Sequence, residues 1–227
     1  NSPSNPTGTV YDHDALREIA GLATDKNFYV ISDEIYESLL YDGNQHCSIA
    51  AFNSDIQAIT FVVNGVSKAY SMTGWRIGYT AGKKDVIKAM SKLQGQSTSC
   101  PNSIAQMAAI EALIGDQSMV TEMREIFHKR RDLIVQCLNE IPHISCLNPG
   151  GAFYVFPNFE YYINNNNQGI KTSSDMSMYL LKEEAIVTVA GDSFGSPSNI
   201  RFSYALSEND IVESMKRLKR ALKKLLF

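Results

Sequence analysis

Paired cysteines, a long apolar run and an excess of either charge are all missing from this chain. Cys47, Cys100, Cys137 and Cys146 lie far apart, with no C-x-x-C pair and no histidine at zinc-ligand spacing beside them. A disulfide framework or structural zinc site is therefore not expected, and the four read as reduced thiols in a cytoplasmic compartment. Lys+Arg 21 against Asp+Glu 24 leaves a net charge of −3, too even to call for a nucleic-acid or membrane partner. No stretch approaches the roughly 20 apolar residues of a membrane-spanning helix. The opening NSPSNPTGTVYDHD has no initiator Met, basic n-region or apolar h-region, so no signal peptide or anchor is expected here, and the chain is expected to begin partway through something longer. Neither G-x-x-x-x-G-K-[ST] nor G-x-G-x-x-G occurs at a strand–helix junction, which argues against a nucleotide-binding module. A small-molecule or protein partner remains.

What is present is globular. The 227 residues are 44% hydrophobic and 20% charged, and at about 150 residues per domain they make about one and a half domains. Asp12 or Asp14 is placed to cap a helix carrying Leu16, Ile19, Ala20 and Leu22 inward. The nearly unbroken apolar run 28–32 then reads as a strand buried on both faces of a parallel sheet, ending in Asp33-Glu34. Residues 58–64 repeat that pattern and end before Ser67-Lys68, and 77–82 form a shorter strand. Helical text runs from Lys84 to Leu113, broken at Ser97–Pro101. A further helix from about Ser118 to Asn139 carries Val120, Met123, Phe127, Leu133, Ile134 and Leu138 on its apolar face. Beyond it, short strands at 152–156, 186–189 and 200–203 alternate with a helix near 174–184 and a terminal helix from Glu208. Asn164 to Asn167 reads as a flexible surface insertion. The terminal KRLKRALKKLLF is basic enough for a membrane-surface helix. Yet Ile211, Met215, Leu218, Leu222 and Leu225 form one stripe, so the helix is expected to pack on its domain.

Three places carry chemistry. Asp33 stands where a buried strand ends, the side of an α/β sheet where ligands gather, with Tyr36 three residues on. A carboxylate and a phenol so placed suit the ring nitrogen and ring oxygen of a heteroaromatic cofactor, although an aspartate there is more often a helix cap or a surface acid. Lys68 lies among Ala69, Tyr70, Met72 and Trp75, a poorly charged setting in which an amine sheds its proton more readily and attacks a carbonyl. Arg76, eight residues later, offers a planar fork for a phosphate or carboxylate. An amine beside such a fork suits a phosphorylated aldehyde. Arg201, inside an apolar aromatic strand, calls for a bidentate carboxylate, either structural or from a substrate.

NSPSNPTG, SDEIYESLLYDG, NGVSKAYSMTGWRIGY, PGGAFYVFPN and NIRFSYALSEN, in this order, resemble the fold-type I, pyridoxal-phosphate-dependent aminotransferases of class I/II, and in particular their bacterial- and plant-type aspartate aminotransferase branch. The resemblance implies an α/β fold: a truncated, mainly parallel-sheet large domain over 1–117 with its connecting helix, then a smaller α+β domain over 118–227. It implies pyridoxal 5'-phosphate as cofactor and amino-acid and 2-oxo-acid substrates, most simply aspartate with 2-oxoglutarate, in a homodimer at full length. Lys68 would take the cofactor's aldehyde and later shuttle a proton. Asp33 would keep the ring nitrogen protonated, while Tyr36 and Asn5 would donate to the ring oxygen. Arg76 would grip the phosphate, Arg201 would clamp the substrate α-carboxylate, and Asn5 would also contribute to substrate binding.

Two departures stand out. Some relatives have a phosphate-binding serine three residues before the lysine, where this chain has Gly65; Ser67 is the weaker substitute. In the family the NPTG motif lies mid-chain, after roughly one domain's worth of residues. This chain is therefore expected to lack half of the cofactor pocket and to be inactive alone. A lyase or synthase of the same fold is the alternative chemistry.

Overall fold

The computed structural model describes residues 1–226. They divide into two compact units, one of residues 1–4 and 9–124, the other of residues 5–8 and 125 onward. The sequence placed the change of character at 118. The division falls inside the helix that begins there, and the NPTG loop goes with the later unit.

The first unit opens on α1 (His13–Lys26), whose N-cap Asp12 accepts from the Ala15 N–H at 2.7 Å. Leu16, Ala20 and Ala23 are its buried residues and pack with Ile49 and Ile56. Ile19 and Leu22, expected inward, are exposed. At 3.6 residues per turn Leu22 points roughly 120° away from Leu16, and the inward stripe is narrower than the apolar composition implied.

Strand β1 (Val30–Asp33) pairs in parallel with β2 (Thr60–Gly65), which pairs antiparallel with β3 (Gly78–Ala81), in the order β1-β2-β3. The expectation that the first strand is buried on both faces fails. Tyr29 and Ile31, which share a face by strand alternation, are 63% and 73% exposed, because nothing among the described residues covers that side. The second strand is shorter than expected. Asn53 accepts from the N–H groups of Asp55 and Ile56, and helix α2 (Ser54–Ile59) takes the residues assigned to the strand's start. Helices α3 (Lys84–Ser97) and α4 (Ser103–Ile114) flank the break at Pro101 as the proline dictates, with Asn102 capping α4.

Helix α5 (Ser118–Asn139) runs across the division into the second unit, where Phe127, Ile134 and Leu138 are buried. Val120, Met123 and Leu133 are only half-buried. The same helix buries Arg131, 2% exposed, which ion-pairs with Asp132 at 2.7 Å and donates to the Pro149 carbonyl at 3.0 Å. Strands β4 (Tyr154–Val155), β5 (Val189–Ala190) and β6 (Ile200–Ser203) form an antiparallel sheet in the order β4-β6-β5.

Helices α6 (Glu160–Asn164), α7 (Ser173–Glu184) and α8 (Glu208–Leu226) complete the unit. A Thr172/Asp175 capping box starts α7. The expected α8 stripe is buried in full, with Ala221 added. The polar run 164–167 is more organised than the expected flexible insertion. Asn166 Nδ2 donates to the carbonyls of Tyr162, Ile163 and Ile170, and its Oδ1 accepts from the N–H groups of Gln168 and Ile170.

Candidate functional site

In the first unit the parallel register pairs Asp33 with Val63, so the ends of β1 and β2 lie side by side. No helix follows Asp33. Its Oδ1 accepts from the Ile35 N–H at 3.2 Å across a turn, and its carbonyl accepts from the Ser2 N–H at 3.3 Å. The helix-cap reading of this aspartate is thereby excluded. Tyr36, 4% exposed, lies in that turn region, and the Lys68 Nζ stands 5.8 Å from the centre of its ring.

Lys68 and Ser67 are half-buried in the turn after β2. Of the apolar neighbours expected around the lysine, Ala69 is buried, while Tyr70 and Met72 pack on a cluster of Val66, Ile77, Ala105 and Ala109. Trp75 does not join them and is 47% exposed. Gly65 has a steric reason: it faces Gly78 across β2 and β3, and a Cβ there would come within 2.8 Å of the Ile77 carbonyl. A serine at this position would meet that carbonyl and the Gly78 backbone unless one of them shifted.

Arg76 is exposed, has a left-handed backbone at φ 57°, and donates from Nη1 to the Thr73 carbonyl at 2.9 Å. It lines an open cleft of about 530 Å³ together with Ser71, Trp75, Pro101 and Asn102. A guanidinium at the mouth of such a cleft is free to meet an anion from solvent.

Sequence reasoning missed a polar cluster beside these strand ends. Glu34, 4% exposed, accepts from the Ser48 hydroxyl at 2.7 Å and the Ser32 hydroxyl at 3.0 Å, and its other oxygen lies 2.9 Å from His46 Nε2. Glu37 lies 3.6 Å from the same nitrogen and accepts from Asn64 Nδ2 at 2.7 Å. Burial opposes ionisation of Glu34, but the hydrogen bonds from His46, Ser48 and Ser32 outweigh it and hold the carboxyl below its ordinary value. The bond to Glu34 raises His46 above its ordinary value, against burial and with help from the charges of Glu34 and Glu37. No spacing signal pointed to His46, because the eleven residues between it and Glu34 fold back as loop.

In the second unit, Arg201 on β6 donates from Nη1 to Asn5 Oδ1 at 2.7 Å. Its guanidinium stands 4.4 Å from the Tyr154 ring centre and 5.5 Å from that of Phe194. Its Nε is buried, with no hydrogen-bond partner among the described residues. A guanidinium held by a neutral amide and two ring faces, with a buried donor unspent, retains its capacity for a carboxylate. Asn5 is delivered by the NPTG loop. The Gly8 carbonyl accepts from the Gly151 N–H at 3.0 Å, and at φ 67° a side chain on Gly8 would run into Pro149 and the Gly151 carbonyl. Glycine is required there.

No helix among the described residues is long and apolar enough to cross a membrane. All four cysteines are free, and burial pushes the Cys146 thiol up to about 12.

Known proteins align with this arrangement along its whole length. The aspartate aminotransferase of Bacillus subtilis is 46% identical over 224 residues, 99% of this chain and 56% of that protein. A probable aspartate/prephenate aminotransferase of Aquifex aeolicus is 42% identical over 227 residues, 99% of this chain and 57% of that protein. Among solved structures, the aspartate aminotransferase of Rhizobium meliloti matches with a TM-score of 0.93 at 40% identity, covering 99% of this chain and 57% of that one. The aromatic aminotransferase of Pyrococcus horikoshii matches at 0.90 and 38%, covering 99% and 59%. The chain thus spans a little over half the length of the relatives it matches. The model for aminotransferase class I and II covers residues 1–218, and the chain belongs to that family.

Proposed function

We propose that this chain carries the lysine-bearing part of a pyridoxal 5'-phosphate-dependent aminotransferase that, at its relatives' full length, transfers the amino group of aspartate to 2-oxoglutarate, giving oxaloacetate and glutamate. The observation that carries the reading is the pairing of β1 with β2, which sets Asp33 and Lys68 at neighbouring strand ends with Tyr36 buried against the lysine amine. The aspartate preference is supported by the names of the Bacillus subtilis and Rhizobium meliloti relatives.

The donor set fits the cofactor: an amine for an aldehyde, a carboxylate for a ring nitrogen, a phenol for a ring oxygen, a guanidinium for a phosphate. When bound, pyridoxal phosphate supplies an electron sink for the bond broken at the substrate's α-carbon. Asp33 keeps a proton at the ring nitrogen, which its carboxylate charge favours. Tyr36 and Asn5 donate to the ring oxygen. Arg76 holds the phosphate, with the Ser67 hydroxyl as a second donor. Arg201 binds the substrate α-carboxylate and fixes its orientation. Lys68 Nζ would accept a proton from the substrate's α-carbon and hold it as an ammonium, the role of a general base.

The proposal extends to a homodimer and to a cytoplasmic compartment, the latter in keeping with four free thiols. We further propose that the 227-residue chain alone has negligible turnover, since it spans 56% of the Bacillus subtilis protein. Robust transamination by material of this length would refute that. At the relatives' full length, Lys68→Ala is expected to abolish both the visible cofactor absorbance and transamination while circular dichroism stays unchanged; undiminished turnover would sink the assignment. Release of pyruvate or ammonia from aspartate, without transfer to 2-oxoglutarate, would favour the lyase alternative.

A further inference from the structure

We propose that Glu34 and His46 are positioning residues for Asp33 and Lys68, locking the ends of β1 and β2 through a continuous hydrogen-bonded chain that runs on through Glu37 and Asn64. The inference rests on the function proposed above.

Its first link is local. Glu34 follows Asp33 directly, and its backbone N–H donates to the Val63 carbonyl at 2.9 Å, extending the ladder one step beyond β1. The side chain is then held by three groups from two segments: Ser32 on β1, and His46 and Ser48 on the loop that returns beneath it. Because Glu34 is held ionised, His46 Nε2 must be the donor in their 2.9 Å contact.

The second link crosses to the other strand. The Glu37 N–H donates to the Glu34 carbonyl at 2.9 Å, and the Glu37 carboxylate accepts from Asn64 Nδ2 at 2.7 Å. Asn64 Oδ1 in turn accepts from the Gly65 N–H at 2.7 Å, three residues before Lys68. One end of the chain thus fixes the residue after Asp33, and the other fixes the backbone leading to Lys68. A displacement of about 1 Å between groups meant to act on one cofactor costs on the order of a hundredfold in rate.

Glu34, Glu37 and His46 also present ligand atoms within 4.8 Å of one another. A divalent cation there would have to displace the His46 proton that serves Glu34, so hydrogen bonding is the favoured reading.

In the full-length protein, Glu34→Gln and His46→Gln are each expected to lower kcat about ten- to hundredfold, with KM for aspartate nearly unchanged and the pH midpoint of the visible Lys68-dependent band shifted. The double variant is expected to lose far less than the product of the two, as coupled partners do. In cofactor-free protein, His46→Gln should also move the NMR resonances of the Asn64 side-chain amide and the Gly65 N–H. Variants that match the parent in kcat and band midpoint, fully multiplicative losses, or unmoved Asn64 and Gly65 resonances would each overturn the proposal. So would zinc binding that His46→Gln abolishes. If Glu34→Gln does not fold, Glu37→Gln, at the solvent edge of the same chain, is read by the same three measurements. A parent protein with no Lys68-dependent band would instead defeat the functional assignment itself, and the NMR result would still decide whether the chain is continuous.

Discussion

The two units solve the same problem with opposite means. The second closes an apolar core: Leu180, Ile200, Leu218 and Leu225 are fully buried, and its buried Arg131 is answered by Asp132 and the Pro149 carbonyl. The first leaves Ile31, Leu93, Ile104, Met107 and Ile114 between 66% and 77% exposed, and spends a buried polar chain on two strand ends. Both units bury apolar clusters, but in the first the groups proposed for chemistry sit beside a hydrogen-bonded polar cluster.

That contrast can be broken. Leu218→Ala, at a fully buried site on α8, should cost about 2–5 kcal/mol of unfolding free energy in urea titration. Thr172→Ala, which removes one half of the α7 capping box, should cost about 1 kcal/mol by the same measurement. The Glu34–His46 pair should appear as pH dependence. Glu34, lowered from 4.5, contributes stability that is present above that value and lost as pH falls through its folded value; His46, raised from 6.5, contributes stability present below 6.5 and lost as pH rises through its folded value. The pair's contribution is therefore greatest between 4.5 and 6.5, so His46→Gln should lower the melting temperature most in that window and remove the decline that His46 contributes as pH rises above 6.5. Ile31→Ser, on the open face of β1, should change stability by no more than about 0.5 kcal/mol. A loss as large as that of Leu218→Ala would mean that this face is covered in solution and that the two units differ less than their surfaces indicate.

Legibility followed the same division. The α8 stripe could be read residue by residue because a helix with one buried face writes its burial into its spacing. The Pro101 break was equally plain. In the first unit the same logic misjudged β1, since an apolar run records what a strand is able to bury and not whether anything lies on it. It also misjudged α1, where a narrow contact left Ile19 and Leu22 out. Asp33, Lys68 and Arg201 stood out because each is a charge at the end of, or within, an apolar strand. Glu34, His46 and Asn64 did not, because their partnership exists only after a loop and a parallel strand pairing bring distant residues together. Arg131 was hidden for a related reason: its charge is paired with a neighbour one residue away, and it also donates to a carbonyl eighteen residues away.

The NPTG loop gives the chain an uncommon connectivity. The polypeptide passes from one unit to the other after Ser4, after Gly8 and again after Arg124, so no single cut separates them. A piece beginning at residue 125 would carry Arg201 without Asn5 and Gly151 without Gly8. The same holds for recombination between relatives. One crossover at residue 124 would join an Arg201 from one parent to an Asn5 loop from another, so the two segments are expected to be inherited together, as parts of a single heritable module that is discontinuous in the gene.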